Sequence, residues 1–187
     1  MTAANAMTCF EMALEHGHDA RATTTTLMPT KRSLLSRIWP FLSRRIHHRT
    51  FGALKPYRNG NYLRTKADFE PLEKRIWLVI RADKAGPTHS QEKLYIQIEK
   101  HYQTMLPRIL KALWAEYQKV RRVQQHIPWP EVSNTTELLK VIPLDAIWLE
   151  QGPGHPFVFS FQSELDKDHE FHVFFRDGKL QGVSFEH

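Results

Sequence analysis

Lys74-Arg75-Ile76-Trp77-Leu78-Val79-Ile80-Arg81 places large apolar residues two apart, and shortly afterwards Thr88-His89-Ser90-Gln91 opens a stretch whose apolar residues recur at helical spacing. Side chains on a strand alternate between two faces, whereas those three and four apart share one face of a helix, so the change of period marks a strand followed by a helix. Ile76, Leu78 and Ile80 take one face of the strand, Trp77 and Val79 the other. Thr88 and Gln91 have capping-box spacing, in which the threonine oxygen caps the first turn and the glutamine reaches back to its amide. Leu94, Ile98, Met105, Ile109, Leu113 and Tyr117 then form one stripe, widened by Leu106, Leu110 and Trp114, which suits a helix lying on a sheet. Pro107 is expected to kink or split this helix near Gln103–Leu106, because its ring removes an amide donor and crowds the carbonyl four residues back.

On the N-terminal side, Phe51, Ala53 or Leu54, and Tyr57 suggest a first strand. Arg58-Asn59-Gly60-Asn61 is a turn, since Asn-Gly readily takes positive φ, and Tyr62–Phe69 returns as far as Pro71. On the C-terminal side, Pro128 and Pro130 flank Trp129 in a connector, and Asn134 offers a cap for a short helix ended by Pro143. Four strands follow at Ala146–Gln151, Phe157–Leu165, Glu170–Arg176 and Lys179–Phe185, separated by Gly152-Pro153-Gly154, Asp166-Lys167-Asp168 and Asp177-Gly178. The fold class expected is α+β: an antiparallel sheet from two meanders, βββ-α-α-ββββ, with the long helix on one face. The chain is expected to divide into a disordered leader (1–30), a basic amphipathic linker (31–49) and one domain (50–187).

The net charge of +6 is concentrated in the leader and linker. Residues 1–49 hold seven of the 26 Lys and Arg but only three of the 20 acids, leaving 19 basic and 17 acidic residues in 50–187. A basic patch on the fold would point to nucleic acid; a nearly neutral domain does not, and nucleic acid is not the expected partner. Within 31–49, Arg37, Arg44 and Arg45 accompany Trp39 and Phe41, a composition suited to weak contact with an anionic membrane surface. Packing back on the domain, or a transit peptide, are alternative readings of that segment, and Met28-Pro29-Thr30-Lys31-Arg32 reads as an alternative start. No apolar run approaches the roughly 18 residues of a membrane span. Cys9 is the single cysteine, so no disulfide framework or CxxC metal site is available, and a reducing cytoplasmic location is expected.

Phe51-Gly52-Ala53-Leu54, the alternating Ile76–Ile80 strand, Gly86-Pro87-Thr88 with Gln91, and an acid-His turn ahead of the Asp177-Gly178-Lys179 hairpin resemble a set of uncharacterised bacterial α+β domains of unknown function. Some members of that set lie near toxin-immunity loci. The resemblance spans about residues 50–185. The chain departs from it in carrying Tyr62-Leu63-Arg64 where Trp-x-Gly is usual, and Asp168-His169 where Glu-His is usual.

No nucleotide-binding glycine motif, nucleophile elbow or HExxH is present, so the corresponding enzyme classes have no anchor. Asp166, Asp168, His169 and His172 are the one group whose carboxylates and imidazoles could ligate a divalent metal. His169 and His172, three apart on an extended chain, should point to opposite faces, and His155 is a more distant third imidazole. A solvated turn, its Asp side chains bonding local amides, is the simpler account. Two functions are therefore carried forward. The first is a non-enzymatic protein-binding module, of the immunity type that the resemblance implies, using exposed aromatics such as Trp129 and Trp148 and needing no cofactor. The second is a metal-dependent hydrolase built on the Asp166–His172 turn.

Overall fold

A computed structural model describes residues 45–82 and 85–186. It shows an α+β fold whose eight strands lie in sequence order across one sheet: β1 (Ile46–His48), β2 (Gly52–Tyr57), β3 (Tyr62–Phe69), β4 (Lys74–Arg81), β5 (Leu144–Leu149), β6 (Phe157–Gln162), β7 (Glu170–Arg176) and β8 (Lys179–Glu186). Helices α1 (His89–Val123) and α2 (Thr135–Val141) connect β4 to β5. Every neighbouring pair is antiparallel except β4 and β5, which run parallel. A parallel pair cannot be closed by a hairpin and needs a crossover, which α1 and α2 supply.

Two expectations are corrected. Among the described residues the sheet begins at Ile46 rather than with the Phe51 strand, because Ile46–His48 turns back on Ala53 and Leu54 to form an additional strand. Nor does Pro107 split the helix, since α1 is continuous for 35 residues. Pro107 is exposed, so the Gln103 carbonyl that lost its amide donor can be hydrated on the solvent side. The buried stripe of Ile98, Tyr102, Met105, Ile109, Leu113 and Tyr117 holds both halves of the helix to the sheet.

The core lies between α1 and one face of the sheet, to which the strands contribute Leu63, Ile76, Leu78, Ile80, Ile147, Phe159, Phe161 and Val173 in strict alternation. Helix α1 is fixed at its start by Gln91, which is 3% exposed. Its Oε1 accepts from the Thr88 amide at 2.9 Å, while its Nε2 donates to the carbonyls of Arg81 at 2.8 Å and Leu149 at 3.3 Å, the last residues of β4 and β5. One side chain therefore ties the helix to both parallel strands. Replacing Gln91 by methionine keeps the volume but strands these backbone groups, and should lower the unfolding free energy by about 1–3 kcal/mol. Urea denaturation would measure the loss, and an unchanged midpoint would show that the carboxamide is dispensable.

Candidate functional site

The residues expected to act together at the Asp166–His172 turn are split between the two sides of the sheet. Asp166 is buried and holds the turn locally: its Oδ1 lies 2.9 Å from His169 Nδ1 and accepts from the Asp168 amide at 3.3 Å. The His169 ring stacks on Phe185, 5.0 Å away and tilted by 10°. His172 is on the opposite face, where Nε2 meets Glu170 Oε2 at 3.0 Å and Nδ1 lies 3.4 Å from Glu186 Oε2. Among the described residues no three His, Cys, Asp or Glu are grouped to hold a metal ion. His155 lies beyond the other end of β6, ahead of Phe157.

Trp129 and Trp148 are buried, at 7% and 8% exposure, which corrects their expected exposure. The proline-flanked connector turns Trp129 into the core, edge-on to Tyr117 at 5.7 Å and Phe171 at 6.1 Å. Trp148 points away from α1 but is covered by Tyr62 and by the guanidinium of Arg58, 4.5 Å from its ring. Of the residues considered for a membrane surface, Arg37, Trp39, Phe41 and Arg44 lie outside the described residues, and Arg45 is exposed at their edge.

The open face around Trp148 has the most developed chemistry outside the core. Both helices lie on the other side of the sheet, yet the central strands are apolar here too: Val79, Ala146 and Trp148 form a second buried cluster, flanked by Tyr57, Tyr62, Trp77 and Val158. Antiparallel sheets with a solvated side usually place polar residues there. In this chain the apolar strip is roofed by cations. Arg64 is held between two rings, 4.5 Å from Tyr57 and 4.9 Å from Trp77, and the Lys66 ammonium lies 4.4 Å over Trp77. Ring faces attract cations by their quadrupoles, and aliphatic stems cover apolar surface while the charged heads stay wet.

These cations keep their charge available. At the rims Arg75 pairs with Asp68 at 3.5 Å and Arg81 with Glu150 at 3.4 Å, whereas Arg58, Arg64 and Lys66 make no side-chain hydrogen bond or ion pair with another described residue. Acids stand across the same face. Glu170 accepts from the Ser160 hydroxyl and bonds His172, and these contacts, the imidazole first, hold its carboxyl below the ordinary glutamate range despite burial. Asp145 is displaced the other way, raised mainly by burial. The Ser160 proton goes to a carboxylate rather than an imidazole, so the serine is not set up as an activated nucleophile. One sequence signal did mark this face: Trp77 and Val79 sit between core positions, making β4 apolar on both sides.

The Glu170 shift carries a pH signature. A carboxyl whose folded pKa is depressed adds stability that is present above its unfolded value, near 4.5, and lost as pH falls through the folded value. Glu170→Gln should therefore cost about 1 kcal/mol near neutrality, and the deficit should shrink towards zero in strong acid. Denaturation midpoints across the acid range would show this, whereas a deficit independent of pH would contradict it. No protein-family model, curated protein or solved structure matches the chain, and what it does is therefore read from these side chains.

Proposed function

We propose that this chain is a non-enzymatic protein-binding module whose open sheet face receives the acidic surface of a partner protein. The observation that carries the reading is Arg64, held between Tyr57 and Trp77 with no ion pair to a carboxylate among the described residues. A stacked guanidinium is pre-organised and still presents its edge donors to a carboxylate, so little rotamer freedom remains to be lost on binding. Aromatic and arginine side chains are also those that dominate binding energies at protein interfaces. In the form that the family resemblance implies, docking of this kind would neutralise the partner, as an immunity protein does a toxin.

A protein is favoured over nucleic acid because Asp145, Glu170 and Glu186 share the face with the cations; they would repel a phosphate backbone but can match a partner of mixed charge. The hydrolase alternative gains nothing from the geometry, which separates Asp166 and His169 from His172.

Titration with a short poly-glutamate peptide, followed by tryptophan fluorescence, tests the reading. Binding should be weak and salt-sensitive, and Arg64→Ala, which leaves the core face intact, should weaken it by roughly tenfold, as for loss of one charge-assisted contact. Tighter binding of a thymidine oligonucleotide of equal charge would move the assignment to nucleic acid. Indifference to Arg64→Ala would remove the face from the account.

A further inference from the structure

On the helix side of the sheet, α1 leaves a cleft of about 400 Å³ against the β5–β6 loop and the β7–β8 turn. This is within the roughly 300–1,000 Å³ of small-molecule sites. Its floor is apolar and buried, made by Leu94, Ile98 and Met105 of α1 and Phe157 of β6. Its rim is polar and exposed, with His101 and Arg108 on α1 facing His155 and Asp177. The helix positions that line it, Leu94 to Arg108, span about 21 Å at the helical rise, so the cleft is elongated.

The wall opposite α1 is rigid. His155 adopts φ +44 immediately before Pro156, a conformation disfavoured both for a residue with a Cβ and for one preceding proline. The Asp177 amide donates to the Gly154 carbonyl at 2.6 Å, locking the two loops together. Gly154 is at φ +79, which favours glycine, and a Cβ there would lie 2.8 Å from Arg176 Cγ and 2.9 Å from Asp177 Oδ2, so a larger residue would have to displace both side chains. Backbone strain that the surroundings enforce concentrates at functional sites. The rim is also chemically idle: none of its titratable side chains makes a hydrogen bond or ion pair with another described residue.

We infer that this cleft binds a small linear amphiphile carrying one carboxylate, with its tail on the Leu94, Ile98, Met105 and Phe157 floor and its head on Arg108. Among the described residues Arg108 is the one permanent cation lining the cleft. Asp177 is turned onto Gly154, and its negative charge directs an anionic head towards the arginine. The site lies on the side of the sheet away from Arg64 and stands or falls independently of the open face.

Decanoate, with decanol as its uncharged counterpart, provides the test, read from the isotope-labelled methyl of Met105 and assigned through Met105→Leu. Decanoate should shift that signal saturably and bind more tightly than decanol. Arg108→Gln, at an exposed helix position, should weaken decanoate by roughly tenfold or more and leave decanol unchanged, as for loss of a hydrogen bond to a charged group. Thr104→Trp, also exposed, should fill the cleft and abolish both. An unmoved Met105 methyl, equal affinity for decanoate and decanol, or insensitivity to Arg108→Gln would each overturn the assignment.

Discussion

The carboxamide of Gln91 joins the two halves of this chain. Each four-strand half is a meander of antiparallel neighbours, but the halves meet at a parallel pair, and no turn between β4 and β5 determines their register. The first turn of α1 takes that part. Gln91 accepts from Thr88 within the capping box and donates to the last carbonyls of both parallel strands. A buried amide left without partners costs far more than a satisfied one gains, so the helix start, the end of β4 and the end of β5 are fixed together. The stripe from Leu94 to Val120 then joins Ile76, Ile80, Ile147 and Phe159 in the main core.

The same crossover creates the open face. Both helices pass over one side of the sheet, and among the described residues the other side has only its own side chains to cover Val79, Ala146 and Trp148. Leaving them wet would forfeit about 25 cal/mol for each Å² of apolar surface exposed, while an all-apolar roof would itself be an exposed patch. Arg58, Arg64 and Lys66 resolve this by laying their stems and charges on the rings. The result is a surface dry beneath and cationic above, a consequence of covering a sheet from one side only.

What the sequence revealed, and what it hid, divides along the range of the interactions. Alternation in Lys74–Arg81 and Glu170–Arg176 and the Thr88–Gln91 box are local signals, and those elements stand where the signals place them, while the strand expected over Phe157–Leu165 ends at Gln162. Ile46–His48 is too short for a period to be seen, and it exists as a strand only because β2 lies beside it. Trp129 and Trp148 were legible as large aromatics in the right elements, but their cover comes from residues far along the chain: Phe171 and Phe185 over one, Tyr62 and Arg58 over the other. The polar cluster comes apart as the three-residue spacing of its histidines indicated. Asp166 and His172 are neighbours in sequence, yet the strand pleat sends Phe171 into the core and His172 to the other side, dispersing what looked like a ligand set.

Charge on the open face is arranged by strand. Arg58, Arg64 and Lys66 belong to the β2–β3 hairpin, while Glu170 and Glu186 belong to β7 and β8, with His172 set between their carboxylates. Arg58, reaching over Trp148, is the point of contact between the two fields, and its charge helps keep Glu170 ionised. A partner docked on this face would meet cations over the β2–β3 hairpin, an aromatic centre, and the carboxylates of Glu170 and Glu186 on the far strands. Such a gradient penalises a partner placed the wrong way round through like-charge contacts at both edges. Recognition on this surface would be set by direction as much as by strength, with the aromatic centre supplying burial and the two edges fixing orientation.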